Sequence, residues 1–420
     1  MLKSIKDFLF SKKPDIVIQA PSRINLINPL DAVEGDFWMP SLAINGINNP
    51  LSVFFYIKRI ENKSRLKIFT MQKLDEKYFF RVKYQELLSM SKHGILSKLR
   101  GNNNLIYGSI YGLIKMNSYF EKIFLNSNIE IGLLTTIPYQ SGLGGSAAII
   151  IAVLYGLTQF YNLYNNFEII KENEIPLNKD IIAEIATKIE DDYLKITSGY
   201  SDRYVICRGG LSFCSYYGKL CHKEISKEPL AIYDRIDKTY ELENVPIIVC
   251  YSGVSHKSSD VHSKLRKLYL EKDPIILNSY KELGEIAWKS RFSLMSRDWK
   301  KLGEYFKKNT KIMNNIMENA GFEYGIGLVN NILIDIIEDH PEVYAAKLTG
   351  AGGGGSVFAL VNPDKVDDAL NYWRDEINKI INDKKAFTSK FPHYPLNITN
   401  SLKKTEFFRI KINKSGVKKL

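Results

Sequence analysis

The sequence predicts a two-domain protein that combines strands and helices, and three observations support this class. The chain has 420 residues, which is more than one hydrophobic core usually organises. Both halves contain short segments rich in β-branched and aromatic residues as well as longer segments with helical apolar spacing. The composition also changes at residues 218–233. We therefore place the domains at residues 1–225 and 226–420.

The composition is that of a folded globular protein. The chain is 45% hydrophobic and 25% charged, with 25 tyrosines and 21 phenylalanines, which argues against a disordered chain. No apolar run reaches the roughly 20 residues that span a bilayer, and residues 1–13 lack the features of a secretory signal. The four cysteines lack metal-type CxxC pairs. We expect a cytoplasmic protein with no membrane partner.

The net charge of +12 raises the question of nucleic-acid binding. The 46 acidic residues are interspersed with the 58 basic ones, and the densest basic stretches, at 264–267, 300–311 and 411–419, are short. A solvated surface or a basic cleft for a small anionic substrate explains this pattern, so we expect no nucleic-acid partner. A polynucleotide site on the basic tail would instead predict salt-sensitive retention of DNA or RNA.

The predicted elements of the N-terminal half are strands and helices around a glycine-rich loop. They are strands at 15–20 and 51–60, a loop-and-turn segment at 21–49 between them, a strand at 129–136, a helix after the loop at 138–148, a helix at 181–196 and a strand at 211–217. The C-terminal half has a strand at 245–251, helical stretches at 260–270 and 276–317, a second glycine-rich loop at 350–355 and a strand at 356–361.

The first glycine-rich loop reads Gly-Leu-Gly-Gly-Ser-Ala-Ala at residues 142–148. Glycines allow a tight turn that brings N–H groups close to an anion, and the helix that follows adds its dipole. Ser146 would lie in the first helical turn, where its hydroxyl can reach a phosphate-bound Mg²⁺. The lysine of the Gly-x-x-x-x-Gly-Lys-Ser/Thr loop is missing. A tight strand-to-helix turn without a ligand is the alternative.

Two further blocks stand out. Residues 347–356 read Lys-Leu-Thr-Gly-Ala-Gly-Gly-Gly-Gly-Ser, with five glycines in six residues. Such a run is expected where another group approaches the main chain closely, and a flexible hairpin is the alternative. Residues 21–27 read Pro-Ser-Arg-Ile-Asn-Leu-Ile. By itself this block indicates little more than a surface-paired Arg23.

Together the three blocks, in this order and spacing, resemble the GHMP kinase superfamily, which includes galactokinase, homoserine kinase, mevalonate kinase and phosphomevalonate kinase. The resemblance covers most of the chain, with blocks near residues 21–46, 138–148 and 347–356. It implies an α+β fold whose N-terminal domain contains a left-handed βαβ crossover and whose C-terminal domain is ferredoxin-like. It also implies that ATP, Mg²⁺ and a small-molecule acceptor bind between the two domains.

The resemblance also implies roles for individual residues. The phosphate loop maps onto Gly142, Leu143, Gly144, Gly145, Ser146 and Ala147, and the second loop adds Gly350, Gly352 and Gly353. Ser146 and Glu190 match the Mg²⁺ ligands, whereas Gly145 stands where a serine is common. Asp202 matches the catalytic aspartate, which would orient and deprotonate the acceptor hydroxyl.

Arg23 matches the basic residue of the first block. It would keep Asp202 ionised and stabilise the transferring group. Without the resemblance, a helix-surface Glu190 and a turn pairing between Asp202 and Arg203 are the simpler interpretations. Residues 102–107 are a candidate for the adenine side because of their position between the first two blocks.

The acceptor is indicated by segments that differ from galactokinase. Residues 28–31 read Asn-Pro-Leu-Asp, which is similar to glucuronokinases, and residues 202–211 and 258–266 resemble blocks of the same group. The implied acceptor site contains Arg23, Asp31, Asp202, His262, Arg266 and Gly353. His262 and Arg266 share one helical face and offer donors to a carboxylate or to sugar hydroxyls. A solvent-facing basic helix and a turn-capping Asp31 are the alternatives.

These features predict a kinase that phosphorylates a hydroxyl of a sugar or sugar acid. A glucuronokinase-like enzyme that forms a sugar 1-phosphate is the most specific interpretation, and we expect a monomer or a homodimer. Another GHMP kinase of galactokinase, heptose or mevalonate type is the alternative within the superfamily. A catalytically silent regulator that binds nucleotide or sugar is the alternative outside enzymes.

Overall fold

The computed structural model describes residues 2–28, 30, 36–46, 50–61, 65–73, 80–89, 91–165, 177–217, 225, 231–255 and 258–420. Within these residues the strands are β1 (Ile16–Asn25), β2 (Asp36–Gly46), β3 (Ser52–Arg59), β4 (Arg65–Lys73), β5 (Phe80–Ser89), β6 (Ile129–Thr135), β7 (Leu211–Tyr217), β8 (Ile232–Arg235), β9 (Ile247–Tyr251), β10 (Val343–Thr349), β11 (Ser356–Val361), β12 (Glu406–Ile412) and β13 (Lys418–Lys419).

Fifteen α-helices lie in the same described residues. They are α1 (Leu2–Phe10), α2 (Lys92–Leu96), α3 (Asn104–Met116), α4 (Ser118–Leu125), α5 (Gly145–Phe160), α6 (Lys179–Lys188), α7 (Ser201–Arg208), α8 (Ile236–Thr239), α9 (Ser258–Leu270), α10 (Pro274–Ser296), α11 (Trp299–Asn319), α12 (Leu328–Glu338), α13 (Val366–Asn382), α14 (Lys384–Lys390) and α15 (Thr399–Leu402). A π-helical turn, Ile189–Tyr193, follows α6.

The strands form one connected sheet with the neighbour order β10-β11-β9-β12-β2-β1-β3-β6-β4-β5. β7 pairs with β2 and β8, and β13 pairs with β1. β12 pairs with both β9 and β2, so the C-terminal strands return to the N-terminal part of the sheet. The domain division at residues 225 and 226 stays a prediction. Most of its candidate boundary, at 218–224 and 226–230, lies outside the described residues.

The helix that follows the first glycine loop is the centre of the N-terminal core. α5 is apolar on nearly all sides, as expected for a buried helix, and it packs against β1 and β3. The contact is close at Gly156, where a Cβ atom would lie 2.5 Å from the Phe55 ring. This packing fixes α5 on the sheet, and with it the position of its N-terminus.

Most predicted elements are confirmed, but the loop predicted at residues 21–49 is wrong in its described part. β1 continues to Asn25, and β2 occupies Asp36–Gly46. β1 changes partner within this segment, since it pairs with β3 up to Pro21 and with β2 from Ser22 onward. The Pro, Asn and Gly residues there favour turns locally, but pairing within the sheet overrides that preference.

Two predicted helical regions are divided. The region at 181–196 begins as α6 and continues as the π-helical turn. The region at 276–317 consists of α10 and α11, separated at Arg297 with φ +58°. Asp298 then caps α11 by accepting a 2.9 Å hydrogen bond from the Lys301 amide. None of the helices in the described part of the chain combines the length and apolarity needed to cross a membrane.

Candidate active site

Main-chain and side-chain hydrogen bonds join the three sequence blocks. The Arg23 amide near the end of β1 donates to the Leu143 carbonyl in the first glycine loop at 3.1 Å. Two residues further on, the Asn25 amide donates to Thr349 Oγ1 at the end of β10 at 3.0 Å. β1 therefore connects both glycine loops, which explains why the three blocks form one site.

The two glycine loops also contact each other directly. Ser356 Oγ donates to the Ser141 carbonyl at 2.7 Å. A Cβ atom at Gly142 (φ +72°) would lie 2.7 Å from the Thr349 carbonyl oxygen, and one at Gly350 (φ +89°) would lie 3.2 Å from Gly142 Cα. Part of the glycine run therefore exists because the first loop approaches the second, independently of any ligand.

A cavity of about 560 Å³ lies where these blocks meet. Eleven of the predicted site residues border it: Arg23, Gly142, Gly144, Gly145, Ser146, Ala147, Glu190, Asp202, His262, Gly350 and Gly352. Another part of its wall is more apolar and contains Asn104, Leu105, Thr135, Ile137, Pro138 and Ile149. The predicted adenine segment at 102–107 thus reaches the cavity through two residues of α3.

Arg23 and Asp202 form a bidentate ion pair in the wall of this cavity. Arg23 Nε and Nη2 donate to the two carboxylate oxygens of Asp202, and Arg23 Nη1 donates to the Gly142 carbonyl. Burial opposes ionisation of Asp202, but Arg23, Arg203 and the Asn25 side chain outweigh it, so the pKa of this carboxyl is lowered. Asp202 is therefore an ionised carboxylate in an orientation fixed by Arg23.

Glu190 is paired with a different arginine. It lies on the π-helical turn and is fully buried, and its Oε2 accepts a hydrogen bond from Arg203 Nη2. Burial raises the pKa of Glu190, while Arg203 opposes that shift. Arg203 also places Nη1 3.8 Å from Asp202 Oδ2. The interpretation of a helix-surface Glu190 is wrong. Asp202 does form an ion pair with Arg203, but its bidentate partner is Arg23.

The first turn of α5 borders the cavity. Gly144 precedes the helix with φ +77° and provides no side-chain cap. The first N–H groups of a helix have no intrahelical acceptor and attract anions together with the dipole. Gly145, Ser146 and Ala147 border the cavity at this point. The arrangement can bind a phosphate group and offers the Ser146 hydroxyl beside it.

Neighbouring glycines in this loop should respond differently to alanine. Gly144→Ala forces a Cβ to 3.1 Å from Arg23 Cγ at a positive φ, so we expect a loss of about 1–3 kcal/mol in the free energy of unfolding. At Gly145 the nearest atom, Ile137 Cγ2, is 3.7 Å from such a Cβ, and Gly145→Ala should be neutral or slightly stabilising. Urea unfolding of both variants checks this, and equal losses would contradict the loop geometry.

Some predicted residues lie apart from the cavity. Leu143 is buried and contributes its carbonyl to Arg23. Gly353 donates its amide to the Ile326 carbonyl at 2.8 Å and is absent from the cavity wall. Arg266 borders an adjoining pocket that shares Thr197 with the main cavity. Asp31 lies outside the described residues.

Sequence reasoning missed two contributions to the site. Thr349, whose Oγ1 accepts a hydrogen bond from the Asn25 amide, lies in the block at residues 347–356. Its position directly before the glycines was the sequence signal that could have identified it. The bridging role of Arg203 had no such signal, because its partner Glu190 is 13 residues away on a π-helical turn. Among the described residues, no cluster of three or more His, Cys, Asp or Glu side chains could hold a metal.

Comparison with family models gives one match in each half of the chain. The model of the GHMP kinases N terminal domain matches residues 104–210, and that of the GHMP kinases C terminal domain matches residues 293–379. The first match contains the phosphate-loop candidates, Glu190 and Asp202. The chain is therefore similar to this family at the segments that build the cavity.

The chain is also similar in sequence to individual proteins that are named as kinases. The chain is 28% identical to glucuronokinase 1 of Arabidopsis thaliana over 63% of its own length and 69% of the relative. It is 27% identical to the D-glycero-alpha-D-manno-heptose 7-phosphate kinase of Campylobacter jejuni, over 64% and 71%.

Solved structures agree on the fold. Lactococcus lactis galactokinase complexed with galactose superposes with a TM-score of 0.66 at 17% identity, covering 100% of both chains. A mevalonate kinase gives 0.60 at 18% identity, covering 95% of this chain and 99% of that one. The two-domain α+β fold predicted from the sequence is confirmed.

Proposed function

Because this chain belongs to the GHMP kinase family and is a phosphotransferase with an alcohol group as acceptor, we propose that it transfers the γ-phosphate of ATP to a sugar acid. A uronate phosphorylated on its anomeric hydroxyl, to give a sugar 1-phosphate, is the proposed reaction. The observation that carries this proposal is the Arg23–Asp202 pair in the wall of the cavity between the two glycine loops.

The pair suits phosphoryl transfer to a hydroxyl. Asp202 is ionised and can accept the hydroxyl proton as the new O–P bond forms and the bond to the ADP oxygen breaks. Arg23 holds that carboxylate in one orientation and places positive charge beside the transferring group. Catalysis then rests mainly on positioning and charge stabilisation, as expected for this chemistry.

The nucleotide is proposed to lie along the cavity from its apolar wall to α5. Asn104 and Leu105 of α3 would face the base, because they border the cavity within the predicted adenine segment. The N-terminal turn of α5, with Gly145 and Ser146, would receive the phosphates. This direction brings the γ-phosphate toward Asp202.

The donor set fits a magnesium ion. Ser146 and Glu190, whose side chains carry oxygen donors, border the same cavity, and Mg²⁺ prefers a few oxygen ligands together with substrate phosphates. Ser146 and Glu190 would hold the ion, which when bound neutralises charge on the phosphates. Glu190 meets this role while one of its oxygens stays bonded to Arg203.

The acceptor end is proposed to follow α9. Ser258, Ser259 and His262 border the main cavity, and Arg266 borders the adjoining pocket of about 410 Å³. His262 and Arg266 are four residues apart, which places them on one helical face roughly 6 Å apart along the axis. A carboxylate on the acceptor would be attracted to this basic face, and the relatives named as glucuronokinases support that class.

An acceptor panel with matched charged and neutral sugars tests the proposal. ADP formation would be measured with glucuronate against glucose and with galacturonate against galactose, and ³¹P NMR of the product would identify the phosphorylated position. We expect the uronates to have kcat/KM at least tenfold above their neutral partners. Equal turnover of each charged and neutral pair would contradict the sugar-acid assignment.

A role for Arg266 gives a sharper version of this test. Arg266→Met should raise KM for uronates about tenfold and leave kcat within threefold, because it removes a charge-assisted contact away from the reacting hydroxyl. Lys264→Met is the matched control, because Lys264 lies on the same helix, is exposed and borders neither pocket. If both variants raise KM equally, the effect comes from general surface charge.

A heptose 7-phosphate is the second candidate acceptor. The Campylobacter jejuni relative named for that substrate matches a similar share of the chain, and a phosphate would also be attracted by Arg266 and Lys267. Adding a heptose 7-phosphate to the panel decides between them, since higher kcat/KM with the heptose phosphate than with any uronate would replace the first assignment.

A further inference from the structure

We propose that Arg203 is a positioning residue that orients Glu190 for its metal and links this carboxylate to Asp202. The inference rests on the magnesium role given to Glu190 under the proposed function. It goes further in assigning a distinct task to Arg203, which borders the same cavity as Glu190 and Asp202.

Contacts of the Arg203 guanidinium join three different segments. Nη2 donates to Glu190 Oε2 on the π-helical turn, and Nη1 donates to the Gly199 carbonyl at 2.8 Å. Nη1 also lies 3.8 Å from Asp202 Oδ2 on α7. One planar group therefore spans the predicted metal ligand, the connecting loop and the catalytic carboxylate.

Charge balance gives a physical reason for an arginine at position 203, beside Glu190. Arg23, Asp202, Glu190 and Arg203 are all buried, and they carry two positive and two negative charges when ionised. Arg23 is committed to both oxygens of Asp202 and to the Gly142 carbonyl. Glu190 thus depends on Arg203 for its counter-charge, and a buried carboxylate without one is strongly destabilised.

The hydrogen bond from Arg203 also constrains the orientation of the Glu190 side chain. Glu190 lies on a π-helical turn, and such turns occur often at functional sites. Its own carbonyl accepts a 2.7 Å hydrogen bond from the Ile196 amide, and the Ser198 amide donates to Asp191 Oδ1 at 3.1 Å. The backbone around Glu190 is therefore held by this loop, while Arg203 fixes the carboxylate itself.

Arg203 donates a hydrogen bond to one carboxylate oxygen of Glu190, and Glu190 borders the cavity. Partners of metal-ligating carboxylates set ligand orientation, and their removal typically costs 10–100-fold in metal affinity. We therefore expect Arg203 to act on metal binding rather than on nucleotide binding without metal.

Binding of Mn²⁺ in the presence of a non-hydrolysable ATP analogue tests this role, with free Mn²⁺ measured by electron paramagnetic resonance. Arg203→Met should weaken Mn²⁺ binding at least tenfold, while the affinity for the analogue in EDTA changes less than threefold. Arg203→Lys keeps the charge without the planar fork and should lie between wild type and Arg203→Met. Thermal unfolding of each variant establishes that it is folded under the assay conditions.

A double-mutant cycle with Glu190→Gln separates this inference from the proposed function. If Arg203 acts through Glu190, the double variant Glu190→Gln/Arg203→Met should bind Mn²⁺ no more weakly than Glu190→Gln alone. Additive losses, or unchanged or tighter Mn²⁺ binding in Arg203→Met, would overturn the inference while Glu190 stays a ligand. If Glu190→Gln itself has no effect, the magnesium assignment fails and the inference falls with it.

Arg208→Met provides the matched control. Arg208 lies on the same helix and forms a bidentate ion pair with Asp180, but it is absent from the cavity wall. Its replacement should lower stability and leave Mn²⁺ binding within twofold of wild type. A loss of Mn²⁺ binding in Arg208→Met as large as that in Arg203→Met would mean that any disturbed ion pair on α7 has this effect, which overturns a specific role for Arg203.

Discussion

Replacing Asp202 with asparagine should lower kcat by about 10²–10⁴-fold, the range expected when a general base is lost. The amide keeps the shape of the side chain but cannot accept the hydroxyl proton. Affinity for Mg·ATP should change little, because Asp202 is placed at the acceptor end. Rapid measurements of ADP formation, together with equilibrium nucleotide binding, would separate the two effects.

The same change affects folding, so the assay needs a stability control. Arg23 would be left buried without its carboxylate, and we expect a loss of the order of 3 kcal/mol in the free energy of unfolding. Asp192→Asn is the matched control, because Asp192 is partly exposed and its partner Lys188 is 3.6 Å away. Turnover by Asp202→Asn within tenfold of this control would exclude Asp202 as the base.

Replacing Lys347 with methionine should stabilise the protein at neutral pH. Lys347 is buried on β10, where Nζ donates to the Leu348 carbonyl at 2.6 Å and lies 5.1 Å from the centre of the Phe358 ring. Burial lowers the pKa of Lys347 from 10.5 to about 7. Methionine fills a similar volume without an amine to desolvate, and we expect a gain of about 1–3 kcal/mol at pH 7 after the lost contacts are subtracted.

The pH dependence gives this prediction a definite sign. Between pH 7 and 10.5 the unfolded chain binds a proton at Lys347 that the folded chain has largely released. The free energy of unfolding contributed by this group therefore rises with pH across that window and is constant below it. The stability difference between Lys347→Met and wild type should be largest near pH 7 and should decrease toward pH 10.

Urea unfolding from pH 6.5 to 10 measures that difference. Lys365→Met serves as the control, because Lys365 is exposed and pairs with Asp368 at the surface. Its stability difference from wild type should stay small over the range. A Lys347→Met variant with the same pH slope as wild type would show that the amine remains charged in the folded protein.

Local patterns were sufficient to predict the elements that carry the phosphate site. The glycines at 142–145, followed by an apolar helix-length segment, predicted the turn and α5, because both features depend on neighbouring residues. The strands at β3, β6, β7 and β11 were predicted for the same reason. β2 was missed because Pro40 and Gly46 favour turns locally, whereas two of its pairing partners, β7 and β12, are distant in sequence.

Several residues that border the cavity were predicted from the sequence, but few of the contacts between them were. Arg23, Ser146, Glu190 and Asp202 were identified and border one cavity, although their chemical roles stay proposals. The pairing of Glu190 with Arg203 could not be predicted, because the π-helical turn changes the direction of Glu190 relative to an α-helix. The packing of Gly350 against Gly142 likewise depends on the tertiary structure.

The most direct test of the proposed reaction is a single-turnover transfer with γ-³²P-ATP, Mg²⁺ and a mixture of uronates and sugar phosphates. We predict that the label moves to a small-molecule acceptor in wild-type protein, that no label is retained on the protein, and that transfer is slowed about 10²–10⁴-fold in Asp202→Asn. Absence of label from every acceptor, with ATP bound and the protein folded, would contradict the proposal that this cavity transfers phosphate to a sugar acid or sugar phosphate.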